Sequence, residues 1–290
     1  RNEEKMPQTP ANYEIALTMT FLAGLATVIG GMFTFFIKRT NIKALSIGLG
    51  FSAGVMIFLS FTEILQGAQK LLQPFYPNNA NWMTFFGFTF GMVIAILIDY
   101  FIPDHIDENL FGPPEYCKNR KHRHRKENDD ENDIICSYKH HKIRRAGILT
   151  AIAIAIHNFP EGMATFFVTT QNVTLGISVA IAIALHNIPE GIAVALPIYH
   201  ATGKKRMAIW YSFLSGISEP IGAIIGLLVM HYFLPQIAIG FLFAAVAGIM
   251  IYISFDTLLP LSREYGDGHY SVFGIMSGIF LIWISLLLIK

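Results

Sequence analysis

Twice in this chain, 29 residues apart, one six-residue pattern recurs: His157-Asn158-Phe159-Pro160-Glu161-Gly162 and His186-Asn187-Ile188-Pro189-Glu190-Gly191. On a helix, His and Glu four residues apart share a face, and Asn is only slightly rotated from it. Each copy can therefore bring an imidazole nitrogen, an amide oxygen and a carboxylate oxygen to one place. That donor set suits borderline divalent ions such as zinc, iron, cobalt or manganese, and the imidazoles argue against a dedicated calcium or magnesium site. Each proline lacks an amide proton, which frees the carbonyls of Ile156 and Leu185, and each glycine permits close helix contact. A third carboxylate, Glu219, precedes Pro220 and is flanked by Ser215 and Ser218. His157, Glu161, His186 and Glu190 make one four-ligand site. A second ion would draw on Asn158, Asn187 and Glu219, sharing Glu161 and Glu190. The alternative is an interhelical hydrogen-bonded core, with Glu219 pairing or capping locally.

The elements that must position these groups follow from composition. The chain has 290 residues, 53% apolar and 14% charged, with mean hydropathy +0.48, whereas soluble domains carry roughly 25% charged residues. Lipid is the expected surrounding. Eight windows, at about 15–37, 43–65, 83–103, 146–168, 175–199, 207–230, 236–260 and 270–289, approach the roughly 20 apolar residues that cross a bilayer. The chain reads as one all-α, polytopic transporter domain over 1–290 with eight transmembrane helices and a charged link at 104–145. No cleavable leader is visible, so the first apolar segment reads as a membrane helix itself. His157 and His186 each lie about eleven residues into consecutive, antiparallel helices, so the motifs face one another near mid-membrane. Ionisable residues there indicate a site or a pathway.

Charge sets the orientation. The links after helices 1, 3, 5 and 7, with Lys43, hold 17 of the 21 Lys and Arg, which places those links in the cytoplasm and both termini outside it. Ten of the 21 fall within 104–145, so no basic face for nucleic acid is expected. Both cysteines, Cys117 and Cys136, lie there too, which excludes a disulfide framework and predicts reduced thiols in a cytosolic link. With His105, His122, His124, His140 and His141 and no apolar periodicity, this link reads as largely mobile. Weak metal binding and a solvated spacer both fit it. Glu63 reads as an outer carboxylate that helps ions in or merely sits at the interface. Asp99 and Asp256 read as exit-path ligands or hydrogen-bond partners, with His231 outside and His200 cytosolic. Trp82, Trp210, Tyr232 and Tyr270 fall near interfaces, and the pairs Gly50/Gly54, Gly87/Gly91 and Gly222/Gly226 predict close helix crossings.

Three functions fit such a site. The first is a carrier of divalent transition metals. The second is a metal sensor or receptor that binds without transport. The third is an intramembrane metallohydrolase, against which stands the absence of HExxH; the chain reads as no enzyme.

The paired HNxPEG segments and the Ser218-Glu219 segment, with their order and the eight-helix pattern, make the chain resemble the ZIP family of metal transporters, in particular its bacterial ZupT-like branch. The resemblance implies a multi-pass cell-membrane protein, the inner membrane in a bacterium. It implies import into the cytoplasm of zinc, and of iron, manganese, cobalt or cadmium. It also implies a 3+2+3 bundle whose outer triples are related by inverted symmetry, a homodimer, and an elevator-like alternating access. By position, His157, Glu161, His186 and Glu190 look like a first metal site, and Asn158, Glu161, Asn187, Glu190 and Glu219 like a second. Some relatives carry an acid where this chain has Asn187, or Gln where it has His186, so the second site here is less negative and the first richer in imidazole.

Overall fold

The computed structural model describes residues 10–101, 129–230, 236–265 and 268–289, and among them the regular structure is helical throughout. Eight helices are long and apolar enough to cross a membrane: α1 (Asn12–Phe35), α2 (Ile42–Leu72), α3 (Ala80–Phe101), α4 (Ile143–Thr170), α5 (Gly176–Thr202), α6 (Lys205–Leu228), α7 (Ile237–Glu264) and α8 (Gly268–Leu287). Helices suit these sequences because a bilayer offers no water to backbone amides and each helix satisfies its own. The exterior is correspondingly apolar, with Phe90, Leu228 and Phe273 exposed, while polar groups concentrate inside.

Helix-to-helix contacts divide the molecule into two groups. In one, α1 packs on α5, α4 on both α5 and α6, and α1 on α6; in the other, α2 packs on α8 and α3 on α7. The groups meet mainly where α2 lies on α5 and α7 lies on α4. All three predicted glycine pairs sit at crossings: Gly50 and Gly54 against Ser271 and Ile275 of α8, Gly87 and Gly91 against Ala244 and Ala245 of α7, and Gly222 and Gly226 against Phe159 and Met163 of α4. Without a hydrophobic drive between helices in lipid, such backbone approach supplies the packing energy.

Three helices are irregular in useful places. α2 and α7 each contain a π-helical turn, at Ser60–Ile64 and Ser254–Leu258, and α6 is interrupted at Ile217 between Lys205–Gly216 and Ser218–Met230. The π turns sit in matching sequences. Ala53–Leu65 and Ala247–Leu259 agree at seven of thirteen positions, a repeat that escapes a reading focused on the HNxPEG pair.

The charged link departs from expectation at its C-terminal end. The helix carrying α4 begins at Asp129 and runs unbroken to Gln171, through Pro160. A turn-by-turn apolar pattern is not required for a helix that simply continues a membrane span. Cys136, His140 and His141 fall on this extension, whereas His105, Cys117, His122, His124, His231 and Tyr232 lie outside the described residues.

Candidate metal centre

α4 and α5 carry near-copies of one stretch, Ala151–Ala164 and Ala180–Ala193, and they place their motifs side by side in the bundle interior. His157, Asn158, Glu161, His186, Asn187, Glu190 and Glu219 are all buried, none more than 5% exposed. The His and Glu side chains pair crosswise between helices. His157 Nε2 lies 3.0 Å from Glu190 Oε1, and His186 Nε2 lies 3.4 Å from Glu161. Two ligands bound at about 2.0–2.1 Å around one tetrahedral ion stand about 3.3–3.4 Å apart, a spacing that the His186–Glu161 pair already has, while the His157–Glu190 pair, at 3.0 Å, is at hydrogen-bond distance and would open slightly to take an ion. Among the described residues no three His, Cys, Asp or Glu side chains converge as a finished ligand set; the four form two pairs instead.

The remaining contacts orient this chemistry. His186 Nδ1 lies 3.1 Å from the Ala182 carbonyl, an acceptor for a proton on Nδ1 that would leave Nε2 free for a metal once its contact with Glu161 is given up. Asn187 Nδ2 donates to the Ala23 carbonyl of α1 and to Glu219 Oε2, both at 2.8 Å. Asn158 Nδ2 donates to the Ser215 carbonyl at 3.2 Å. Both amide oxygens are thereby turned away from these acceptors, and neither accepts a hydrogen bond. Glu190 Oε2, Glu219 Oε1 and His157 Nδ1 are likewise buried without a partner. A buried polar atom left unsatisfied costs about 1–3 kcal/mol, and four of these five are oxygens that can only accept. A cation satisfies such a set.

The motif glycines explain why the flanking helices come close enough. A side chain on Gly162 would strike the Glu219 carbonyl of α6, and one on Gly191 the Thr27 carbonyl of α1. Ser215 and Ser218 turn out to hold the interruption of α6. Ser215 Oγ donates to the carbonyls of Ala151 and Tyr211, and Ser218 Oγ to that of Ser215 at 2.6 Å. Ser52 of α2 donates to the Pro189 carbonyl at 2.6 Å, a bond between the two helix groups that nothing in the motif announced.

Other sequence candidates stand apart from the centre. Asp99 pairs with Arg145 at 3.3 Å and accepts from Tyr252 at 3.4 Å. Asp256 sits exposed in the π turn of α7, and Glu63 half-buried in that of α2. His200 is buried, and Arg39 holds its carbonyl at 3.0 Å.

The chain is similar to known proteins along most of its length. The profile of a family described as ZIP Zinc transporter matches residues 13–286. The chain is 46% identical over 274 residues to the zinc transporter ZupT of Akkermansia muciniphila, covering 94% of this chain and 97% of that protein. It is 46% identical over 278 residues to ZupT of Clostridium perfringens, covering 96% of each. Against ZupT of Campylobacter jejuni it is 45% identical over 281 residues, covering 94% and 95%.

Proposed function

The chain belongs to the ZIP zinc transporter family, multi-pass membrane proteins that move divalent metal ions, and from that premise we propose that the crossed His and Glu pairs of α4 and α5 bind the transported ion. One observation carries this reading: five buried electron-pair donors, on His157, Asn158, Asn187, Glu190 and Glu219, lack any hydrogen-bond partner. The centre divides into two parts. His157, Glu161, His186 and Glu190 form an imidazole-rich part that suits Zn2+. Asn158, Asn187 and Glu219, with the shared carboxylates, form an oxygen-rich part for a second ion, more tolerant of Mn2+ or Fe2+.

The seven candidate ligands are buried, none more than 5% exposed, so an ion bound among them would be largely shielded from solvent. Binding replaces the two His–Glu contacts by coordination, and the groups must release any protons they carry. Uptake toward the cytoplasm and a homodimeric assembly belong to the same proposal, supported by the family relationship. No bond in the cargo is made or broken, so the reading is transport without catalysis.

The test is zinc accumulation in proteoliposomes loaded with a metal-responsive dye. Purified protein should concentrate zinc in the lumen. Glu161→Ala should abolish that flux with insertion preserved. Zinc binding without flux by the unaltered protein would leave a sensor in place of a carrier.

A further inference from the structure

The site is built on a near-twofold exchange that swaps α4 with α5 and α6 with α1. Asn158 donates to the Ser215 carbonyl of α6, as Asn187 donates to the Ala23 carbonyl of α1. Gly162 abuts the Glu219 carbonyl and Gly191 the Thr27 carbonyl; Gly222 abuts the Phe159 carbonyl and Gly30 the Ile188 carbonyl. Gly24 and Gly216 abut each other's carbonyls, as residues on the axis itself must. The sequences carry the same register. Thr20–Gly31 and Ser212–Ala223 agree at five of twelve positions, and Thr27 aligns with Glu219. As odd and even spans, α1 and α6 cross the membrane in opposite directions, so the repeat is inverted.

Thr27 is therefore where symmetry calls for a partner to Glu219, and its hydroxyl behaves unlike its neighbours. Thr18, Thr20 and Thr34, also on α1, each donate to a carbonyl three or four residues earlier. Thr27 is 0% exposed, yet its Oγ1 has no hydrogen-bond partner. The Ala23 carbonyl, four residues earlier, takes the Asn187 amide at 2.8 Å and not the Thr27 hydroxyl. Glu219 meets Asn187, and the exchange maps that pair onto Thr27 and Asn158, whose Oδ1 is also buried without a partner. Two buried oxygens without partners thus occupy the positions that the exchange equates with Glu219 and Asn187.

We propose that Thr27 is a neutral oxygen ligand of the transported divalent ion, bound directly or through one water, serving the α4 side of the centre as Glu219 serves the α5 side. This rests on the metal-site reading above. It makes the two halves unequal: each offers an amide, but one adds a carboxylate and the other a hydroxyl, which favours harder ions.

The experiment is equilibrium binding of Mn2+ and Cd2+ to purified, detergent-solubilised protein by calorimetry. Thr27→Val keeps the shape and removes the oxygen; Mn2+ affinity should fall about tenfold and Cd2+ affinity less than about threefold, while Thr27→Ser retains both within about twofold. Equal weakening of both ions, or of neither, overturns the assignment, since a packing role would not distinguish a hard ion from a soft one. Thr27→Cys gives an independent reading if the valine variant melts early: a thiol ligand should raise the Cd2+ to Mn2+ affinity ratio, and an unchanged ratio overturns the proposal. Glu161→Ala serves as the control. If it leaves binding of both ions intact, the metal-site reading itself has failed; if it abolishes binding while Thr27→Val is silent, only the role of Thr27 has.

Discussion

Replacing Glu190 by Gln removes one negative charge from the centre while altering almost nothing in its shape. The amide oxygen can still face His157 Nε2 across the 3.0 Å contact, so the link between α4 and α5 survives. What is lost is the free Oε2, which is buried without a partner and becomes, in one orientation, an NH2 with nothing to accept its protons. A four-ligand zinc site is worth about 10–16 kcal/mol, so one ligand of the set His157, Glu161, His186 and Glu190 accounts for about 2.5–4 kcal/mol, roughly a hundred- to a thousand-fold in Kd. Zinc titration of the detergent-purified variant should show that loss, with a melting temperature in the absence of metal within a few degrees of the parent. His157→Gln should cost a similar factor. The double variant should cost clearly less than the two losses summed, because ligands of one ion are coupled. Zinc affinity within threefold of the parent for Glu190→Gln, or strict additivity in the double variant, would refute the shared coordination.

Glu219→Gln should lower the number of ions bound per chain from two to one, measured by elemental analysis after gel filtration, and leave the tighter zinc site in place. Gly162→Ala should depress transport and thermal stability together, by about 1–3 kcal/mol for the latter, because the methyl group displaces α6 at the Glu219 carbonyl; chemical denaturation in detergent beside a flux assay checks both. Ser52→Ala deletes the bond from α2 to the Pro189 carbonyl, worth about 1 kcal/mol. Because that bond joins the two helix groups and leaves the ligands untouched, it should change the turnover rate while zinc Kd stays put. Zinc affinity of the unaltered protein should weaken as pH is lowered from neutrality, since protons compete for imidazole and carboxylate, and a flat titration between pH 7.5 and about 5.5 would count against those ligands.

Much of this protein is settled along the chain. Eight apolar stretches in a chain with so few charges have no stable alternative to membrane helices, because unpaired amides are too costly in lipid. The repeated His-Asn-x-Pro-Glu-Gly makes a metal site on two adjacent helices the natural reading, since i,i+4 spacing fixes which side chains share a face. The glycine pairs foretold their crossings for an equally local reason: a residue without a side chain is where two backbones can meet. The family, too, is written in motif and order.

Other features depended on which helix lies against which. That His157 pairs with Glu190 and His186 with Glu161, each across helices and not within its own motif, follows from how α4 and α5 pack, which i,i+4 spacing leaves open. The Asn187 amide is turned by the Ala23 carbonyl of α1, more than 160 residues away in sequence, and that distant contact is what leaves its oxygen free for an ion. The helical run from Asp129 has no apolar period to betray it, because it is carried as a continuation of α4. Thr27 looks like any membrane threonine until α1 is set against α5 and α6. Spacing along a helix determines what a single helix can offer, but the partners that consume or spare each polar atom come from neighbouring helices, and only the tertiary structure supplies them.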